Sequence, residues 1–162
     1  MATVNNQPKN EANHPQDELK TALNDFEACL LAPMVSGELV SWLEAVEKSW
    51  AELSAQVHFH VKHLHPRQYD EIANQGPDLL PRIDQLRADD GAIEQQRSEL
   101  SQSINRISQH LPKLEPDEEK AHKHLQHLVD AGVAFLTSIR KLEITVQTWY
   151  IEAFNRDHGA GD

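Results

Sequence analysis

The sequence has a single cysteine, few basic residues and no long apolar run, and each shortage excludes a class of protein. Cys29 is the only cysteine among 162 residues, so no disulfide framework can form within the chain. No apolar stretch approaches the roughly 20 residues that span a bilayer. The polar start, residues 1–16, lacks the apolar centre of a signal peptide. We therefore predict a cytoplasmic protein without a membrane partner.

The charge balance is strongly acidic. Lys and Arg total 15 against 26 Asp and Glu, which leaves a formal net charge of −11. Such a surface repels nucleic-acid phosphates and anionic lipid, so we expect no nucleic-acid partner. A protein partner or a homodimer is compatible with this composition. The sequence contains no Gly-rich phosphate loop and no recognisable Ser or Cys nucleophile, so we predict a protein that is not an enzyme.

Proline, glycine and N-capping residues divide the chain into segments whose apolar residues recur at helical spacing. We predict four main helices: residues 17–31, a helix capped by Ser36 and ended by Pro66, a helix from the Gly76-Pro77-Asp78 turn to Pro112, and a helix from Pro116 to about residue 157. Long helices with short connections pack antiparallel. We predict an all-α, up-and-down four-helix bundle in one domain, residues 17–162, after a disordered N-terminal tail, residues 1–16.

A few polar residues fall inside the apolar stripes. On a helical wheel His60, Asp90, Arg97 and Glu143 point into the bundle, and Glu94 lies nearer a border. A bundle interior with inward His, Asp and Glu is a common place for a metal site, and iron suits this mixture. The alternative needs no metal: Arg97 neutralises one of the three carboxylates, and His60 is hydrogen-bonded to one of them.

We expect most of the ten histidines at the surface. On the wheel His58 points outward, whereas His63 and His65 lie toward the two edges of the stripe. His124 and His127 are spaced to hold a surface metal ion, with Asp130 as a third ligand, but an empty surface cluster is the expectation.

Three segments of the chain carry a family resemblance. They are His60-Val61-Lys62-His63-Leu64-His65 running on to Tyr69-Asp70-Glu71-Ile72, then Leu86-Arg87-Ala88-Asp89-Asp90, and finally Tyr150-Ile151-Glu152-Ala153-Phe154-Asn155 with Asp157 and Gly159. In register and neighbours they resemble the hemerythrin-like (HHE cation-binding) proteins. The four-helix bundle of many members binds a di-iron centre through inward His and carboxylate side chains. The resemblance covers residues 33–162.

The ligand motifs of that family are incomplete in this chain. Within residues 33–162 the usual His-x-x-x-Glu and His-x-x-x-His pairs are absent, and only His60 keeps a ligand's identity. The resemblance therefore implies a divergent member with His60, Asp90, Glu94 and Glu143 as metal ligands and iron as the expected ion, used for sensing or sequestration. The alternatives are a metal-free interaction or structural bundle with an Arg97-carboxylate network, and a redox enzyme with a rebuilt di-iron site.

Overall fold

The chain folds into four long helical rods. A computed structural model describes residues 14–114 and 116–156, and within them it contains helices and no strand. The elements are α1 (Pro15–Leu31), α2 (Leu39–Phe59), a π-helical segment (His60–Leu64), α3 (His65–Ala73), a 3₁₀ turn (Pro77–Leu79), α4 (Leu80–Leu114) and α5 (Glu118–Asn155). Because α2, the π-helical segment and α3 run on without a break, they form one rod. The all-α prediction is confirmed for this part of the chain.

Each rod packs against at least two others, and the second rod also contacts α5 through α3. α1 contacts α2 and α5, and α4 contacts α2 and α5, which closes a ring around one core. Towards one end the core is aromatic: the ring centroids of Phe26 and Phe135 each lie 5.2 Å from that of Trp50. No described helix combines the length and the apolar composition that a bilayer span requires.

The first two helix starts differ from the prediction. α1 begins at Pro15, inside the predicted tail, because proline suits the first position of a helix and Asp17 and Glu18 follow at its positive end. The rest of that tail, residues 1–13, lies outside the described residues. Ser36 does not cap α2, which begins at Leu39; its hydroxyl instead donates to the Glu118 carboxylate at 2.8 Å.

Two of the prolines predicted to end helices, Pro66 and Pro112, do not end them. Pro112 lies in the last turn of α4, and Pro66 lies in the first turn of α3. The π-helical segment accommodates Pro66. In this segment the His65 N–H donates to the His60 carbonyl, five residues back. In an α-helix the acceptor would be the carbonyl four residues back.

The π-helical segment also rotates everything that follows it. One extra residue in a helical turn moves the inward face by one position. Regular α-helical spacing after Val57 and Val61 would bring Leu64 and Gln68 into the core. The structure buries His65 and Tyr69 there instead, together with Ile72.

Gly132 on α5 marks a close approach to α1. A Cβ placed on it would lie 2.5 Å from Leu30 Cδ1, and Leu30 is itself buried. Gly91 on α4 is the natural comparison, because a Cβ there would meet nothing within 4 Å.

We expect Gly132→Ala to destabilise the protein by roughly 1–3 kcal/mol, because Leu30 must leave its place in the core. Gly91→Ala should stabilise it by up to about 1 kcal/mol through helix propensity alone. Urea unfolding followed by circular dichroism measures both. Equal effects of the two substitutions would show that α1 and α5 do not approach each other as described.

Candidate functional site

Four buried or half-buried polar side chains meet at the end of the bundle away from the aromatic core. His60 begins the π-helical segment and His65 follows it, Asp90 comes from α4, and Glu143 comes from α5. His60, His65 and Asp90 are buried, and Glu143 is half-buried. Three of the four rods therefore contribute to one polar cluster, which we call the His65 cluster.

His65 lies at the centre of this cluster. Its Nδ1 is 2.7 Å from Asp90 Oδ1, and its Nε2 is 2.8 Å from Glu143 Oε1. A carboxylate oxygen can only accept, so both ring nitrogens must carry a proton when both hydrogen bonds form. The ring is then an imidazolium that bridges α4 and α5.

The electrostatics of the cluster agree with this protonation state. Burial by itself lowers the pKa of His65, but the hydrogen bonds and charges of Asp90 and Glu143 outweigh it and raise the pKa to about 9. Burial likewise opposes ionisation of Glu143, yet the hydrogen bonds from His60 and His65 hold its pKa at about 2. In the absence of metal, His65 is therefore a cation at neutral pH.

His60 uses its two nitrogens in a different way. Its Nε2 is 3.1 Å from the carbonyl of Pro15 at the start of α1, and the N–H donates to that carbonyl. Its Nδ1 lies 3.4 Å from Glu143 Oε1. The remaining rod, α1, is thus tied to the cluster through its first residue, Pro15.

The geometry gathers three side chains that a metal ion could share. One atom each from His60, His65 and Glu143 lies within 4.8 Å of the others. Within the described ranges this is the one group of three or more His, Cys or acidic residues so arranged. The surface residues His124, His127 and Asp130 are not brought together in that way.

Glu94 and Arg97 form a separate ion pair. Arg97 Nε and one terminal nitrogen donate to the two Glu94 oxygens at 3.0 and 2.9 Å, and the other terminal nitrogen donates to Ser54 Oγ at 3.0 Å. His58 Nδ1 lies 3.2 Å from the same carboxylate. Of the three carboxylates proposed as partners of Arg97, the structure selects Glu94. It does not bring Glu94 to the His65 cluster as a ligand.

Helical-wheel reasoning missed His65. The wheel placed it at an edge, whereas the side chain is 0% exposed. The error has a physical cause, since the wheel assumes 3.6 residues per turn and the π-helical segment breaks that phase. The signals in the sequence were Pro66, which requires an irregular backbone, and the apolar pair Tyr69 and Ile72 one position out of phase.

Tyr69 adds a buried hydroxyl beside the cluster. Its ring centroid is 5.7 Å from that of His65, and its hydroxyl has no hydrogen-bond partner among the described residues. Burial, followed by the charge of Asp90, raises the pKa of Tyr69, so the phenol stays neutral.

Comparison with known proteins returned no matching family model, no matching curated protein and no matching solved structure. The hemerythrin-like resemblance therefore stays a prediction.

We expect His65→Leu to destabilise the protein by roughly 3–5 kcal/mol, because Asp90 and Glu143 would stay buried without their cation. Arg97→Met should cost at most about 1 kcal/mol, as is usual for a partly exposed pair. His63→Leu, at an exposed position nearby, is the control. Urea unfolding ranks the three variants, and a larger loss for Arg97→Met than for His65→Leu would return the central role to the arginine.

Stability should also depend on pH in a defined way. The raised pKa of His65, about 9 against 6.5, adds stability that is complete below pH 6.5 and is lost as the pH rises to 9. The lowered pKa of Glu143, about 2 against 4.5, adds stability that is complete above pH 4.5 and is lost as the pH falls to 2. Without metal, the urea midpoint should be highest between pH 4.5 and pH 6.5, where both contributions are complete.

The alkaline loss should be about 3 kcal/mol in the wild-type protein, from the size of the His65 shift. His65→Leu should remove that loss, and His63→Leu should keep it. The measurement is made with a chelator present. If the wild-type urea midpoint does not decrease as the pH is raised from 6.5 to 9, the buried imidazolium is contradicted.

Proposed function

We propose that this protein binds one divalent transition-metal ion through His60 Nδ1, His65 Nε2 and a Glu143 carboxylate oxygen, and that it acts by sensing or sequestering the ion without catalysis. Asp90 orients a ligand in this proposal, and Glu94 takes no part. The proposal keeps the divergent hemerythrin-like interpretation but reduces the site to one ion.

The observation that carries the proposal is the partner of each histidine's other nitrogen. His65 Nδ1 is held by Asp90, and His60 Nε2 is held by the Pro15 carbonyl. Metal-binding histidines nearly always donate their second N–H to a carboxylate or a backbone carbonyl, which fixes the tautomer and the ring orientation. Both histidines of the cluster have such a partner, and both direct the remaining nitrogen at Glu143.

The spacing of the atoms fits one ion. Metal bonds to His nitrogen and carboxylate oxygen are about 2.1 Å long, so neighbouring ligand atoms lie roughly 3.0–3.4 Å apart. The two histidine nitrogens lie 2.8 and 3.4 Å from Glu143 Oε1. All three atoms lie within 4.8 Å of one another, so side-chain movements that bring the two nitrogens closer would place an ion among them.

The charges fit as well. A metal ion on His65 Nε2 replaces the proton that the nitrogen shares with Glu143, so one cation substitutes for another beside the same carboxylate. The His65 hydrogen bond to Asp90 is kept, because it uses the other nitrogen. Two imidazoles and a carboxylate suit Zn²⁺ and Fe²⁺, and iron is the ion that the family resemblance implies.

The second candidate function is that of a metal-free interaction or structural bundle. The observation in its favour is that His65 as an imidazolium already satisfies both carboxylates, with its pKa raised to about 9. In that account His65 takes the neutralising role first assigned to Arg97. The cluster would then serve the fold alone.

Metal content separates the two candidates. We expect untagged protein, purified without chelator or added metal, to contain close to one equivalent of iron or zinc by elemental analysis. The double variant His60→Ala with Glu143→Gln should lose it, whereas His58→Ala with Glu94→Gln should keep it, because that pair lies outside the cluster. Asp90→Asn should weaken binding roughly 10- to 100-fold in a metal titration.

Circular dichroism must show that each variant is folded. A folded wild-type protein that holds no metal, and whose melting temperature is unchanged by Fe²⁺, Zn²⁺ or Mn²⁺, would contradict the metal proposal and leave the structural bundle.

A further inference from the structure

An open cavity lies over the proposed metal site. It has a volume of about 480 Å³ and is enclosed by the start of α1, by the end of the second rod and by α5. Buried His60 and half-buried Glu143 are part of its wall. A cavity of this size suits a small organic molecule, and any such molecule would approach the metal from this side.

The charged groups of the cavity wall differ in whether they have a hydrogen-bond or ion-pair partner. Glu143 is held by two histidines, and Glu71 accepts a hydrogen bond from the Tyr150 hydroxyl at 2.6 Å. Arg67 is the one arginine or lysine in the wall, and it forms no ion pair or hydrogen bond with the described residues. Arg67 is thus an exposed cation without a partner among the described residues, and it lies one helical turn from Glu71, whose negative charge the Tyr150 hydroxyl does not cancel.

Two further donors in the wall lack partners. The side-chain amides of Gln68 and Gln147 form no hydrogen bond within the described part of the chain. The apolar residues of the wall are Pro15, Leu64 and Ile151. Amide and guanidinium N–H groups next to apolar surface match a molecule with an anionic end and an apolar body.

The proposed metal site would leave a coordination position open towards this cavity. It has three protein ligands, whereas Zn²⁺ takes at least four, and a fourth position is usually filled by water or an added ligand. The walls at His60 and Glu143 connect that position with the cavity.

We propose that the cavity binds a small organic carboxylate, which occupies the open coordination position and is neutralised by Arg67. This inference rests on the metal site proposed above. The ligand's apolar body contacts Leu64 and Ile151, and the amides of Gln68 and Gln147 donate to its polar end. The bound ion would then be sensed or retained together with an acid of this class.

The test uses the full chain loaded with Co²⁺, whose visible absorption reports its ligands, and benzoate as the probe. We expect saturable spectral changes with benzoate and none with benzamide, which has the same shape but no charge. Arg67→Met should weaken benzoate binding roughly tenfold or more, because a charge-assisted contact is lost. Arg106→Met, an exposed arginine of α4 outside the cavity wall, should have no effect.

The outcomes distinguish the carboxylate site from the metal site on which it rests. Co²⁺ binding without any response to benzoate, or a response that is equal in Arg67→Met, would overturn the carboxylate site and leave the metal site standing. Failure to bind Co²⁺ at all would overturn both. A benzoate response weakened only by Arg67→Met would support the carboxylate site.

Discussion

The polar end of the bundle depends on one contact, the double hydrogen bond of buried His65 with Asp90 and Glu143. These carboxylates come from different helices and face the same interior, where two unpaired negative charges would be costly. One imidazolium donates a hydrogen bond to each carboxylate, offsets one of the two negative charges and links the second rod to α4 and α5. His60 extends the link to α1 through the Pro15 carbonyl. The cluster thus joins all four rods at this end.

The backbone irregularity before Pro66 is what makes this contact available. In an uninterrupted α-helix Leu64 would face the interior, and the two carboxylates would have no cation opposite them. The π-helical turn puts His65 in that place and allows Pro66 at the same time, because the helical hydrogen bonds are already rearranged there. A local departure from ideal geometry and the buried ion cluster are therefore two aspects of one feature.

The sequence was sufficient for the fold class because that depends on averages along long segments. The stripes containing Leu53, Ile83 and Leu136 predicted inward faces that the structure buries. The same periodicity correctly placed His60 and Asp90 inside. It failed at His65, where a single inserted residue changes the phase and leaves no trace in an average over many turns. It placed Glu143 inside and Glu94 nearer a border, yet both stayed candidate ligands, because only the neighbouring helices determine which carboxylate reaches the His65 cluster.

The proton on His65 also sets the conditions under which a metal ion could replace it. With a pKa of about 9, removing that proton at pH 7 costs about 3 kcal/mol, which weakens metal binding roughly 100-fold. Zn²⁺ sites in small folded units gain about 10–16 kcal/mol, so an ion with that affinity still displaces the proton. Mn²⁺ stands lowest in the affinity order of first-row ions, so its binding free energy exceeds the cost of removing the proton by the smallest margin. Mg²⁺ and Ca²⁺ prefer oxygen ligands. In the metal proposal, the buried proton would act as a threshold that favours strongly binding, nitrogen-preferring ions.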